Sequence, residues 1–388
     1  MANGDVVFVD RRNTDCGKWD GLKDTYGRGG LQAMWVADMD FKAPECVLNA
    51  INDYIKTGVF GYYKPRESYA EAFIDWERKY HGYEVKKEWV RFSPGVVPAI
   101  NWFLHFMTNE GDAVIVQTPI YYPFMDGVKH NKRKLIMCDL VNTNGVYTID
   151  FDAFEKQIAE NDVKVFIMSS PHNPSGRVWT KEELKTMLDI CRKHNVFVIA
   201  DEIHQDIVFS GTQIPAATVG DYDDMLVTLT AASKTFNLAA LQNSFIVIPN
   251  AELRAKYDEF KEGIRLRQGN PFGYVAAEAA YRYGREWFEN VKKIIYGNYL
   301  YIKDTFAARL PKAVVTPLEA TYLMWIDLGA YVSAENMHDF IQNKCELAFD
   351  YGDWFGGERF GTHVRINLAT SREMVEKAAE RIIANIEQ

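Results

Sequence analysis

Several short runs of the chain carry residue types that chemistry can use. In TLTAASKTFNLAALQ (228–242), Lys234 follows an apolar run and three small residues, and no acid in the stretch pairs with it. Such a lysine is either a solvated loop charge or an amine kept among small neighbours so that something large can lie against it. An amine that gives up its proton attacks carbonyl carbon. In ADEIHQDIV (200–208), Asp201 and Glu202 close another apolar run. These acids are solvated loop groups, or Asp201 pairs with a cation on a ligand, such as a protonated ring nitrogen. In SSPHNPSGRVW (169–179), Asn173 stands between two prolines. Turns use that composition for its own sake, and the side-chain amide could also donate to a phenolate-like oxygen. FSPGVVPAINWFLHFM (92–107) reads as a tight turn opening a helix, with Pro98 in the first helical turn. There the N–H groups of Gly95, Val96 and Val97 face outward at the positive helix end, where a phosphate binds. Tyr121 and Tyr122 in TPIYYPF (118–124) are packing residues or a platform for a flat ring.

Each run is common by itself; what matters is whether one scaffold brings them together. The middle of the chain alternates short apolar runs with amphipathic stretches. AVIVQ (113–117), KLIMC (134–138), KVFIMSS (164–170), VFVIADE (196–202), MLVTLT (225–230) and SFIVIP (244–249) read as strands. TKEELKTMLDICRKH (180–194) reads as a helix capped by Thr180, with Leu184, Met187, Leu188 and Cys191 on one face. Strands apolar on both faces and separated by helices predict an α/β fold with a largely parallel sheet covered on both sides. Ligands of such sheets bind beyond the carboxyl ends of the strands, and every run singled out above lies just past a strand or opens a helix there. The 33 residues from Asp201 to Lys234 leave room for a crossover and one more strand. After residue 284 the pattern changes to a long helical stretch (285–309), then YLMWIDL (322–328), HVRINLA (363–369) and a terminal amphipathic helix. This predicts a smaller α+β unit built from both chain ends: 1–48 and 285–388 around a large domain of 49–284.

Composition narrows the function classes. At 388 residues, 47% hydrophobic and 25% charged, the chain is an ordinary globular protein. Its net charge of −9, with dispersed basic residues, speaks against nucleic acid or an anionic membrane as partner. The five cysteines are widely spaced without a CxxC pair, and the eight histidines show no HExxH spacing, so no disulfide framework or metal site is expected. MANGDVVFVDRR lacks a signal-type apolar region, and a cytoplasmic location is the expectation.

Taken together, PHNPSGRVW, ADEIHQD, ASKTFNLAALQ and HVRINLA resemble the fold-type I pyridoxal phosphate enzymes of the aminotransferase class I/II superfamily. With MWVADMDF (34–41), the set looks like the MalY/PatB-type cystathionine β-lyases, which are carbon–sulfur lyases. The resemblance spans essentially the whole chain. It implies that Lys234 carries the cofactor and later takes the substrate α-proton. It further implies Asp201 at the ring nitrogen, Asn173 at the ring oxygen, Tyr121 against the ring face, and Gly95, Val96 and Val97 at the phosphate. Tyr62 matches the tyrosine that reaches the phosphate in the neighbouring subunit, which implies a homodimer. Arg365 would take the substrate carboxylate in the bidentate manner that suits its planar fork, helped by the amide of Ala37. The chain departs from the broader superfamily at three places: His204 stands for a tyrosine, Ala231 for a serine and Gln242 for a phosphate-binding arginine. His204 and Ser233 are carried as further cofactor contacts. The implied reaction is α,β-elimination on L-cystathionine or a related cysteine S-conjugate. An aminotransferase needs the same lysine, acid and arginine, and a catalytically silent cofactor-binding regulator is the reading from another class.

Overall fold

The computed structural model describes residues 4–266 and 268–387. Seven strands form the central sheet: β1 (Val90–Ser93), β2 (Ala113–Thr118), β3 (Lys134–Asp139), β4 (Val163–Ser169), β5 (Phe197–Asp201), β6 (Leu226–Thr230) and β7 (Ser244–Val247). Their spatial order is β1-β7-β6-β5-β4-β2-β3. Only β7 runs against its neighbours; the other pairings are parallel. β2, β5 and β6 are buried at every position, as expected for strands covered by helices on both faces. KLIMC instead forms the edge strand β3, whose residues alternate between burial and exposure. β1 was not foreseen: VRFS is short and half polar, and its pairing with β7, distant in sequence, makes it a strand.

Six helices matter for the site and its supports: α1 (Glu67–Trp76), α2 (Val96–Met107), α3 (Lys181–Lys193), the single turn α4 (Ala232–Thr235), α5 (Arg285–Arg309) and α6 (Arg372–Ile386). α3 starts where the sequence predicts. The Thr180 hydroxyl accepts from the Glu183 amide at 3.1 Å, and the Glu183 carboxylate accepts from the Thr180 amide at 2.8 Å, forming a capping box. Leu184, Met187, Leu188 and Cys191 face the core.

A second, antiparallel sheet comes late in the chain: β8 (Val314–Val315), β9 (Leu323–Asp327), β10 (Asp350–Tyr351) and β11 (His363–Asn367), in the order β8-β9-β11-β10. The N-terminal residues Gln32–Ala33 pair in parallel with Leu347–Ala348. Buried Asn298 of α5 donates to the carbonyls of Leu368 at 3.0 Å and Thr370 at 2.9 Å, tying the long helix to the segment that leads into α6. These contacts bring residues 32–41 and 350–367 over the carboxyl ends of the central strands.

Candidate active site at the strand carboxyl ends

One cavity of about 190 Å³ opens there, lined by Ala37, Gly95, Val96, Val97, Tyr121, Asn173, Asp201, His204, Ser233 and Lys234, among others. The topology accounts for the convergence. Gly95 lies two residues past β1, Tyr121 three past β2, Asn173 four past β4, Asp201 at the end of β5 and Lys234 four past β6.

Each of the four side chains in Lys-Thr-Phe-Asn has a defined anchor. The Lys234 amine donates to the Ala37 carbonyl at 2.5 Å, a carbonyl also bonded by the buried Tyr322 hydroxyl at 2.8 Å. The Thr235 hydroxyl donates to Asp206. Phe236 packs against Trp76, Tyr281 and Phe288. Asn237, with φ of 58°, accepts from the Met39 amide and donates to the carbonyls of Met39 and Phe41. Protein surrounds the Lys234 amine on most sides, and the loss of water lowers its pKa to about 8; Asp38 and Asp201 oppose the shift and Arg365 adds to it.

Asp201 shows the opposite effect. Burial pushes its carboxyl up to about 7, against the Ile203 amide and the Lys234 charge. One oxygen accepts from the Ile203 amide at 3.0 Å; the other has no hydrogen-bond partner among the described residues. A buried acid with a free oxygen on a cavity calls for a cation. Asn173 is oriented by elimination. Its carbonyl oxygen accepts from Arg365 Nη1 at 3.0 Å, and a guanidinium has only donors, so the amide nitrogen is the end left for the cavity. At the far side, Gly95 is the N-terminal cap of α2 in extended backbone (φ 177°), and the first amides of the helix come directly after it.

Two sequence-predicted residues stand apart. Arg365 is buried one layer behind the cavity, bonded to Asn173 and to the carboxylate of Asp350, with Nε unpartnered. Its guanidinium lies 4.8 Å from the Phe355 ring centroid and 5.8 Å from that of Tyr121. Tyr62 is fully exposed on the surface, in a groove with Phe60, Tyr63 and Arg265, and does not reach the cavity of its own chain. Ala37 presents an amide that makes no hydrogen bond among the described residues, while its carbonyl is occupied. His172 is a structural residue: it is buried, its ring nitrogens bond the Ser175 hydroxyl at 2.7 Å and the Gln117 carbonyl at 3.3 Å, and burial pushes its pKa to about 4. His204 differs. Its Nδ1 is buried without a partner beside the cavity, and burial holds the ring neutral. The glycine-rich run 356–361 does not line the cavity; the Phe355 carbonyl just before it accepts from the Ile120 amide at 2.8 Å, next to Tyr121.

Sequence reasoning missed Asn243 and Asp350. Asn243 is buried, lines the cavity, accepts from the Tyr69 hydroxyl at 2.8 Å, and leaves Nδ2 unpartnered. Its neighbour Gln242, in left-handed backbone (φ 50°), holds the position where the resemblance calls for arginine. No local pattern in LQNSF separates a turn asparagine from a ligand. Asp350 lies in FDYGDW, which reads as a loop until β10 pairs with β11.

The Aminotransferase class I and II family model matches residues 35–382. The chain belongs to that family. It is 36% identical to "Cystathionine beta-lyase PatB" of Bacillus subtilis, with 97% of each chain covered. It is 30% identical to "Protein MalY" of Escherichia coli, over 97% of this chain and 96% of that one. Among solved structures, cystalysin from Treponema denticola, which contains a pyridoxal 5'-phosphate cofactor, superposes with a TM-score of 0.95 at 32% identity, covering 100% of this chain and 99% of that one. The PLP-bound C-S lyase from Staphylococcus hominis gives 0.93 at 34%, covering 98% and 97%.

The donor set fits the cofactor of this family. A buried acid with a free oxygen suits a protonated pyridine nitrogen, and an amide nitrogen facing the cavity suits a ring oxygen. Helix-terminal amides with an orphaned Asn243 donor suit a phosphate, and a desolvated amine suits an aldehyde.

Proposed function

We propose that this protein is a pyridoxal phosphate-dependent carbon–sulfur lyase. It cleaves L-cystathionine or a related cysteine S-conjugate, with uptake of water, to a thiol, pyruvate and ammonia. The observation that carries this reading is the cavity at which Lys234, Asp201, Asn173, Tyr121 and the α2 N-terminus converge, in a chain similar over its full length to cystathionine β-lyases.

The bound cofactor supplies the electron sink that makes the α-proton of an amino acid removable. The protein's own residues do the rest. Arg365, behind the cavity wall and paired with Asp350, is the cation for the substrate carboxylate, which would compete with Asp350 for it; Asn173 keeps the guanidinium in register. The Ala37 amide is a second donor to the substrate carboxylate. Lys234, desolvated enough to be neutral in useful amount, takes the α-proton at Nζ. Asp201 stays ionised against the positive ring nitrogen, where its charge has a partner. Tyr121 covers the ring face. Gly95, Val96 and Val97 hold the phosphate with Ser233 and Asn243. His204, neutral at Nδ1, offers a further polar contact. The carbon–sulfur bond breaks at the β-carbon and the thiolate leaves.

The division into a small domain (1–48 with 285–388) and a large one (49–284) belongs to this reading. So does a homodimer in which Tyr62 completes the partner's phosphate site; exposed Val59, Phe60 and Tyr62 support a covered surface there. A cytoplasmic location is part of the same proposal. Incubating the holoprotein with L-cystathionine and assaying pyruvate tests the activity, and no pyruvate from cofactor-loaded protein sinks it. A keto acid that turns the bound cofactor over without thiol release would favour transamination.

A further inference from the structure

Asp206 lies five residues after Asp201 in the same strand-end run, yet the reaction as derived makes no use of it. Its side chain is 3% exposed and accepts three side-chain hydrogen bonds. They come from the Trp76 indole at 2.8 Å, from His81 Nε2 at 2.7 Å and from the Thr235 hydroxyl at 2.5 Å. Trp76 ends α1, and His81 ends the π-helical turn Glu77–His81 that continues it; such turns recur at functional sites. Burial opposes ionisation of Asp206, but His81, Thr235 and Trp76 outweigh it and hold the carboxyl below its usual range. Burial also works against charge on His81, and the Asp206 bond and charge overcome it. The pair is therefore an ion pair, with one carboxylate oxygen left to accept from Thr235.

Thr235 is fully buried and directly follows Lys234. The lysine has a long, rotatable side chain, so the direction of its amine depends on a fixed backbone. α4 is a single turn without a side-chain cap; it cannot hold itself. Asn237 and Phe236 hold its exit, and the bond from Thr235 to Asp206 holds the lysine end.

We propose that Asp206 is a positioning residue for the reactive amine: charge-paired to His81 and anchored by Trp76, it fixes Thr235 and thereby the turn that aims Lys234 into the cavity. This rests on Lys234 being the reactive amine. The test uses the holoenzyme and the variants Thr235→Val, Thr235→Ser, Asp206→Asn and Lys234→Ala. Valine keeps the shape of threonine and removes only the hydroxyl. Misaiming the amine by about 1 Å costs about 100-fold in turnover, so Thr235→Val loses kcat on that order. KM stays within about threefold of wild type, because the carboxylate and phosphate contacts are untouched. The visible circular dichroism of the lysine-bound cofactor loses amplitude, the melting temperature falls by only a few degrees for the one lost bond to a buried charge, and Thr235→Ser restores both kcat and the spectrum. Asp206→Asn, if it folds, behaves like Thr235→Val. Unchanged kcat and spectrum in Thr235→Val overturn the proposal, as does a Thr235→Ser variant as impaired as the valine. Lys234→Ala turning over like wild type would instead overturn the underlying reading. An inactive Lys234→Ala beside a normal Thr235→Val overturns only the role of Asp206.

Discussion

The proton on Lys234 gives the most direct test of the site's electrostatics. Desolvation lowers the amine to about 8, from an ordinary value of 10.5. That shift amounts to about 3 kcal/mol against the charged form. At pH 7 about a tenth of a group with pKa 8 is neutral, against about 3 in 10,000 of an unperturbed lysine, a ratio of roughly 300. Only the neutral amine attacks an aldehyde. Apoprotein given limiting pyridoxal phosphate, quenched with borohydride at short times and digested for mass spectrometry, should carry the label on Lys234 first. The rate should rise with pH and level off above about 8. Asp38 raises the pKa and Arg365 lowers it, so Asp38→Asn should move the midpoint down and Arg365→Gln should move it up. A midpoint at the ordinary lysine value, or shifts of the opposite sign in these variants, would refute the account of how the amine is activated.

The same geometry sets other outcomes. Arg365 and Asp350 are buried together, so Arg365→Gln leaves an unpaired acid and should cost about 3–5 kcal/mol in denaturant unfolding. Adding Asp350→Asn should recover most of that stability while KM for L-cystathionine stays high; no recovery would show that the two charges do not balance one another. Asn243→Ala removes a donor to a charged group, worth about 1.5–3 kcal/mol, and should weaken cofactor binding about 10- to 100-fold in a fluorescence titration; unchanged affinity would remove Asn243 from the phosphate site. Glu202 is raised by burial to about 8, and His81, despite burial, is raised by Asp206 to about 9. Both groups hold protons more tightly folded than unfolded. The stability from Glu202 is therefore full below about pH 4.5 and lost as pH rises through about 8, and that from His81 is full below about 6.5 and lost through about 9. Urea midpoints should fall across pH 5–8, below the range in which Lys234, lowered to about 8, works in the opposite direction, and Glu202→Gln should flatten the lower part of the fall; a rising or level curve contradicts the signs.

The strands that place the site were legible because they are buried on both faces. AVIVQ, VFVIADE and MLVTLT must be apolar throughout, whatever packs on them, so β2, β5 and β6 stand out with boundaries within two residues. α3 was legible down to its cap, because a capping box and a one-sided apolar stripe are local features. The site residues were legible for a related reason. In a parallel sheet the loops after the strands converge, so the residues just past the apolar runs make up much of the cavity wall. β1 was not legible, since four half-polar residues have no period and its strand partner lies some 150 residues on.

The sequence by itself determined the kind of sheet, the end of it at which chemistry occurs, and the residue types gathered there. Tertiary structure decided what each of those residues is bonded to. Arg365 meets Asn173 across 192 positions, and Lys234 meets Ala37 across 197. Asp350 neutralises Arg365 only because β10 pairs with β11. Asp206, Asn243 and His204 look like ordinary loop residues until folding removes the water around them. Periodicity is written locally along the chain, whereas desolvation and pairing belong to groups that only the fold brings within a few ångströms of each other.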